Sequence, residues 1–385
     1  MEIKIFTKNR LTFILIIILM LFGFCGPAVA KDQGSLPRTM LWSCYDVGSS
    51  GYVQASAMAD ALLKKFGTRI RLLPSGTSIG RMIPLTSRKV DYGFLANGVF
   101  FAVEGLYDFA AREWGPQDLR VILGHLASNS LATTNKTGIK KFSELKGRSV
   151  AYIPGSPTIN IKVSAYLAFA GLTWDDVKKT EFPSYGATQK ALKQGKVDVA
   201  LSIPTSSFMY ELESTPAGLY WLELPKESKK GWQRLQKIAP FLSPYKETVG
   251  AGVSAKNPKN LAAYRYPMIT VYADADPARV YAFIKALDEA YPLYEKAHKM
   301  MPFWHINQAG VPPADAPYHE GAIRYLKEKG VWTDEHDAWN QARVKHIKTV
   351  QKAWTAAVEK ADNQKMKSKV FPKFWLEERA KALKN

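Results

Sequence analysis

Two stretches far apart in the chain follow one plan. "SRKVDYGFLAN" (residues 87–97) makes a basic turn, places an Asp, and runs apolar to an Asn-Gly step. "QGKVDVALSIPT" (residues 194–205) does nearly the same. The context upstream also matches: "LPSGTS" (residues 73–78) precedes the first copy and "FPSYGAT" (residues 182–188) the second, each followed by a helix-like stretch. The spacing is far too long for a solenoid repeat. A chain of 385 residues has room for two such units, each with its own core. The duplication therefore predicts two similar α/β lobes. The competing explanation is convergence, since Lys-Val-Asp turns before an apolar strand are common in α/β proteins.

The N-terminus bounds the compartment. Lys4, Lys8 and Arg10 precede the apolar run "FILIIILMLFGF" (residues 13–24), and "CGPAVA" ends in Ala28-Val29-Ala30. A basic region, a short apolar region and a small-x-small site predict a secretory signal peptide over residues 1–30, cut after Ala30. An uncleaved anchor is the alternative, although the run is shorter than the roughly 20 residues a span needs. Lipidation at Cys25 fits less well, because bulky Phe24 precedes it. Without the signal Cys44 is the lone cysteine, which excludes an intrachain disulfide and suggests a buried, unreactive thiol.

The formal charge is +19; removing the segment takes away three cations and one anion and leaves +17. Such a balance suits nucleic acid, an anionic membrane surface or a small anionic ligand, and equally a solvated basic face. Export argues against nucleic acid.

Along the exported chain, apolar strands alternate with helical periodicity, which predicts parallel sheets with ligand loops at the strand carboxyl ends. "TMLWSCY" reads as a buried strand, "IGRMIPLTSRK" as a short helix interrupted by Pro84, and "INIKVSAYLAFAGL" as an amphipathic helix ended by Gly171. "LRVILGHL" and "NSLATTN" follow one another as separate apolar runs. The loops are "VGSSGY", "PSGTS", "ANG", "GSPT" and "IPTSS". They combine Gly with small hydroxyl residues, and several open helices, where free N–H groups and the dipole favour a carboxylate or phosphate. Each loop taken alone reads more readily as a helix N-cap than as a ligand contact.

Catalytic patterns are weak. The six histidines show no HxxxH or HExxH spacing, and there is no G-x-S-x-G elbow, P-loop or G-x-G-x-x-G. No metal or cofactor is expected, and the balance moves toward a binding protein rather than an enzyme such as an α/β hydrolase.

The stretches "GSSGYVQASAMADALLKK", "LLPSGTSIGRMIPLTSRKVDYGFLAN", "GIKKFSELKGRSVAYIPGSPT", "AGLTWDDVK", "SYGATQKALKQGKVDVALSIP" and "APYHEGAIRYLKEKG" run in one order over most of residues 46–330. In these the chain resembles the TRAP-associated extracytoplasmic immunogenic (TAXI) solute-binding proteins, receptor subunits of tripartite ATP-independent periplasmic (TRAP) transporters. The resemblance implies a type II periplasmic-binding-protein fold, two α/β lobes joined by crossing hinge strands. It implies a monomeric periplasmic receptor that closes on a small carboxylate or amino acid and delivers it to TRAP permease subunits. An exported sensory binder for a membrane signalling partner has the same fold and stays open as an alternative. The family's loops fall on Ser49, Ser50, Gly51, Tyr52, Ser75, Gly76, Thr77, Ser78, Asn97, Ser156, Pro157, Thr158 and Thr205.

Arg81 is the nearest cation to these loops in sequence and joins the candidates. One turn past the loop, it faces either the cleft or solvent.

The expected organisation is residues 31–134 for the first part of lobe one, 135–267 for lobe two, and 268–385 for the rest of lobe one with C-terminal helices. Crossings are expected near "SLATT" and "PMITVY". Within "DEHDAWNQARVKHIKTVQKAWTAAVEK", Ile347, Val350, Trp354 and Val358 share a helical face, which predicts packing on the chain's own lobe, with a docking helix as the alternative. Phe303, Trp304 and Trp332 read as core, and the segment "MMPFWHINQAGVPPADAPYH" (residues 300–319) as an elaboration.

Overall fold

The computed structural model describes residues 36–384, so the signal-peptide segment and Cys25 lie outside the described residues. Strand β1 (Thr39–Tyr45) is buried over nearly its whole length, as a central parallel strand must be. It pairs in parallel with β2 (Arg69–Ser75) on one side and β3 (Tyr92–Leu95) on the other. The helices Ser50–Phe66 and Ser78–Thr86 make the crossovers. Trp42 anchors this half from β1, stacked on Phe94 at 5.2 Å and edge-on to Phe283 at 5.5 Å.

After β4 (Leu119–Thr133) the plan returns. Strand β5 (Ser149–Tyr152) lies between β6 (Lys178–Glu181) and β7 (Val199–Ser202), linked by the helices Pro157–Phe169 and Tyr185–Lys193. The order β2-β1-β3 in one half is matched by β6-β5-β7 in the other. The repeat is thus five elements long, not the strand–loop–helix–strand that the matching residues mark.

Three short or late strands complete the set: β8 (Tyr220–Trp221), β9 (Ser243–Glu247) and β10 (Lys259–Tyr272). Strands β4 and β10 are the two longest and pair antiparallel. The two apolar runs expected as separate pieces fuse into β4, which bonds to β10 through Asn129 and to β7 from Ser130 onward. β10 pairs with β9 and β4 and, at Met268–Thr270, with β3. The architecture is therefore two α/β lobes joined by two long crossing strands.

Two helices depart from expectation. Ser78–Thr86 runs through Pro84 without a break. Its ring removes only one internal hydrogen bond, close to the helix end. Pro157–Phe169 is not amphipathic: Thr158, Asn160, Lys162, Val163, Ala165, Tyr166, Leu167 and Phe169 are all buried, so buried positions are not confined to one apolar face.

The C-terminal helices Asp334–Asn363 and Phe371–Ala382 pack on the chain's own surface. Ile347 and Val350 are buried, and Trp354 meets Trp375 at 4.9 Å. Phe303 packs against the core, in which Trp304 and Trp332 are buried. The attachment is also ionic. Glu104, last residue of the Gly98–Glu104 helix, is buried and takes Arg343 at 3.2 Å, His346 at 2.9 Å, and Arg379. Burial alone would push its carboxyl up; the His346 hydrogen bond and the charges of His346, Arg379 and Arg343 outweigh it and hold the group at about 2. Its stabilising contribution is fully present above the ordinary carboxylate range and is lost progressively as pH falls from that range through about 2. Glu104→Gln leaves two guanidinium groups without their anion, and chemical denaturation should show a loss of about 3–5 kcal/mol. A loss under about 1 kcal/mol would mean that solvent already screens the cluster.

Candidate functional site

In parallel units every strand ends, at its carboxyl end, in a loop that opens a helix. Here the loops of the two repeats meet. Ser78 N–H donates to Ser156 Oγ at 3.3 Å, Ile79 N–H to the Gly155 carbonyl at 3.3 Å, and Tyr185 N–H to the Gly76 carbonyl at 3.0 Å. Gly186 N–H donates to Asp46 Oδ2 at 2.9 Å and Ser207 N–H to the Gly48 carbonyl at 3.2 Å. The Ser50 and Thr205 hydroxyls share a hydrogen bond of 2.9 Å, and His298 Nε2 donates to the Thr205 carbonyl at 3.1 Å. The direction of that last bond follows from the ring: Nδ1 accepts from Met300 N–H, so Nε2 carries the proton. Burial also pushes His298 down, toward the neutral form.

Enclosed by this seam is a cavity of about 30 Å³, room for about one or two waters. Among the sequence candidates, Ser49, Arg81 and Thr158 line it. Arg81 faces the cavity, not solvent. It is 5% exposed, its guanidinium lies 4.1 Å from the Tyr45 ring centre, Nη1 donates to the Ser75 carbonyl at 2.9 Å, and Nε has no partner.

The other candidates divide by what already occupies them. Ser49 and Thr77 cap helices, accepting from Tyr52 N–H at 3.2 Å and Gly80 N–H at 3.1 Å. Ser75 Oγ accepts from Thr77 N–H at 3.4 Å. Ser50, Gly76, Ser78, Ser156 and Thr205 form the seam. Gly51 N–H donates to the Tyr266 hydroxyl at 3.0 Å, and Pro157 is the first residue of its helix. Tyr52 is half-buried and is not part of the cavity wall. Asn97 lies fully buried behind the wall, bonded to Asp315 Oδ2 at 3.0 Å.

Other wall residues escaped the sequence reading. Tyr45, Tyr185, Tyr264, Tyr266 and Lys162 surround the space, with Asp46 at its edge. The Tyr45 and Tyr185 hydroxyls are buried without partners. Burial pushes all four phenols up, Tyr185 to about 12, so all four stay neutral. Lys162 is 3% exposed, and its ammonium sits 4.0 Å from the Tyr264 ring centre. A signal for it existed: Lys162 is the one charged residue of Pro157–Phe169, and it shares a face with Thr158. The expected inert thiol is found, since burial pushes Cys44 up to about 12. No cluster of three potential metal ligands and no helix able to span a membrane occurs among the described residues.

The arrangement offers two buried cations and hydroxyl donors without acceptors, in a wall drawn from both repeats. A model of the NMT1-like family matches residues 47–330, which hold the second repeat, the first repeat from its first helix onward, and the crossing strands. The chain belongs to the NMT1-like family. No curated protein matches it. This NMT1-like protein is similar to the periplasmic aliphatic sulphonate binding protein SsuA from Escherichia coli at 17% identity, with 68% of this chain and 74% of that one covered and a TM-score of 0.41. It is also similar to an ancestral arginine-binding protein bound to arginine, at 16% identity over 70% and 99% of the chains and a TM-score of 0.44. A third is the alkanesulfonate-binding protein SsuA from Xanthomonas axonopodis pv. citri bound to MOPS, at 14% identity over 86% and 95% and a TM-score of 0.42. The two C-terminal helices lie beyond the region shared with the family.

Close approach across the seam requires a glycine at 76. A Cβ there would stand 2.4 Å from Ser184 Cβ and 2.5 Å from Asp46 Oδ2. Gly76→Ala should therefore keep the two repeats apart, giving a larger radius of gyration than wild type by small-angle scattering. Equal radii would show that the facing loop yields to the methyl group.

Proposed function

We propose that this NMT1-like protein is an extracytoplasmic solute receptor that captures a small carboxylate-bearing solute between its two lobes. One observation carries this reading. Arg81 and Lys162, both more than nine-tenths buried, line one cavity with unmet donor capacity, and the Tyr45 and Tyr185 hydroxyls beside them have no acceptor. Leaving a buried donor unsatisfied costs about 1–3 kcal/mol, more for a charged group. A carboxylate offers about four lone-pair sites and one negative charge, which satisfies donors and cations together.

The finer parts of the reading come from the sequence. Export through residues 1–30 puts the receptor in the periplasm, as a monomer. The order of its stretches supports delivery to a TRAP-type permease and TAXI-type lobes over residues 31–134 with 268–385, and 135–267. Ser50, Ser78, Ser156 and Thr205 then act by drawing the lobes together. Ser49, Thr158 and the two cations act on the solute. Closure with ligand is a population shift, because only the closed form presents both walls at once.

Calorimetry against a panel of mono- and dicarboxylates and amino acids tests the assignment. Arg81→Ala should weaken binding by about 2 kcal/mol or more, since truncation leaves a desolvated carboxylate short of its cation. Thr77→Ala should instead lower stability by about 1 kcal/mol through the lost helix cap, with little change in affinity. A panel without a binder, or an Arg81→Ala variant with wild-type affinity, would remove the anionic-solute assignment.

A further inference from the structure

The Lys162 ammonium has three donors and gives one, at 3.3 Å, to Asn97 Oδ1. Asn97 carries the contact through the wall, its Nδ2 donating to Asp315 Oδ2 at 3.0 Å. Lys162, Asn97 and Asp315 are 3%, 0% and 7% exposed. A cation facing the cavity is thus joined by a single amide to a carboxylate behind it, all shielded from water.

We propose that Lys162, with Asp315 as its positioning residue through Asn97, takes up a proton as the cleft takes up an anion, so that solute capture is proton-linked. The inference rests on the anion-receptor reading above. Burial pushes Lys162 down to about 7, with Asp315 opposing and Arg81 adding to the shift. Burial pushes Asp315 up to about 6, against its Asn97 hydrogen bond and the charges of Arg265, Lys162 and Arg343. Near neutral pH the cleft therefore holds a lysine that is only partly charged. An anion beside it favours the ammonium and draws in the missing proton.

The other groups facing the pair do not compete for that proton. Arg81, Arg265 and Arg343 are guanidinium groups, always charged. The four wall phenols and Cys44 are pushed up by burial and stay protonated. Asp46, at the cavity edge, accepts from Gly186 N–H. His298, on the seam, is pushed down, below the range in question.

The sign follows from linkage. Solute-free Lys162 loses its proton as pH rises through about 7, and an adjacent anion holds that proton to higher pH. Affinity is therefore flat below this point and falls above it, by a factor approaching about tenfold per pH unit. The ligand-free protein has its own signature. A lysine pushed down on folding leaves the unfolded chain with more protons between about 7 and the ordinary lysine range. Wild type should then gain stability relative to Lys162→Met as pH rises through that window.

The test titrates the purified protein with succinate and with L-glutamate from pH 6 to 9, in buffers of different ionisation heat. Wild type should take up close to one proton per solute near pH 8, and its affinity should fall with pH. Lys162→Arg, permanently charged, should bind with a flat profile, and Asp315→Asn should move the fall to lower pH. Binding by wild type with no proton uptake and no pH dependence would overturn the proposal. If neither probe binds at any pH, the receptor reading loses its support, and the ligand-free comparison still decides the proton. Parallel pH–stability curves for wild type and Lys162→Met would overturn it there.

Discussion

The antiparallel pairing of β4 with β10 is the interaction on which the rest of the molecule depends. Each repeat alone would present the carboxyl end of a parallel sheet, with its helix N-termini and hydroxyl loops, to water. The crossing strands bring the two ends face to face. Groups that would otherwise be hydrated then satisfy one another across the seam, as Ser50 does with Thr205 and Gly186 N–H with Asp46. These bonds are individually modest, because folding exchanges them for bonds to water.

Inside the seam the balance is different. Hydroxyls and backbone amides meet partners there, whereas the cavity wall keeps donors without acceptors and carries both Arg81 and Lys162. Burying charge is costly unless it is paired, and neither cation of the wall has a carboxylate in direct contact. Lys162 reaches its nearest carboxylate only through Asn97, and Arg81 leans on a phenol ring and a carbonyl. The wall is thus held by the surrounding core in an arrangement that its own polar contacts do not favour.

The same short helix ties this wall to the periphery. Asn97 immediately precedes the Gly98–Glu104 helix and meets Asp315, while Glu104 at its far end holds Arg343, His346 and Arg379 of the C-terminal helices. Arg343 also reaches the Asp315 carbonyl at 3.4 Å. The C-terminal helices are therefore part of the scaffold that fixes Asp315, as well as a cover for Ala110, which joins their apolar cluster.

The sequence by itself determined the duplication, the α/β class, the polar loops and the self-packing of the C-terminal helix, because each leaves a local trace. Lys-Val-Asp before an apolar strand, small hydroxyl residues before a helix, and apolar spacing along residues 347–358 are all short-range patterns. What only the tertiary structure decided is which of those polar residues remain free. Ser49 and Thr77 look alike in sequence and both cap helices, yet only Ser49 also reaches the cavity wall. Lys162 and Asp315 lie far apart in the chain, in a helix read as amphipathic and a segment read as an elaboration. They meet through Asn97 because β4 and β10 bring the repeats together, and burial, a property of the assembled fold, sets the charge they carry.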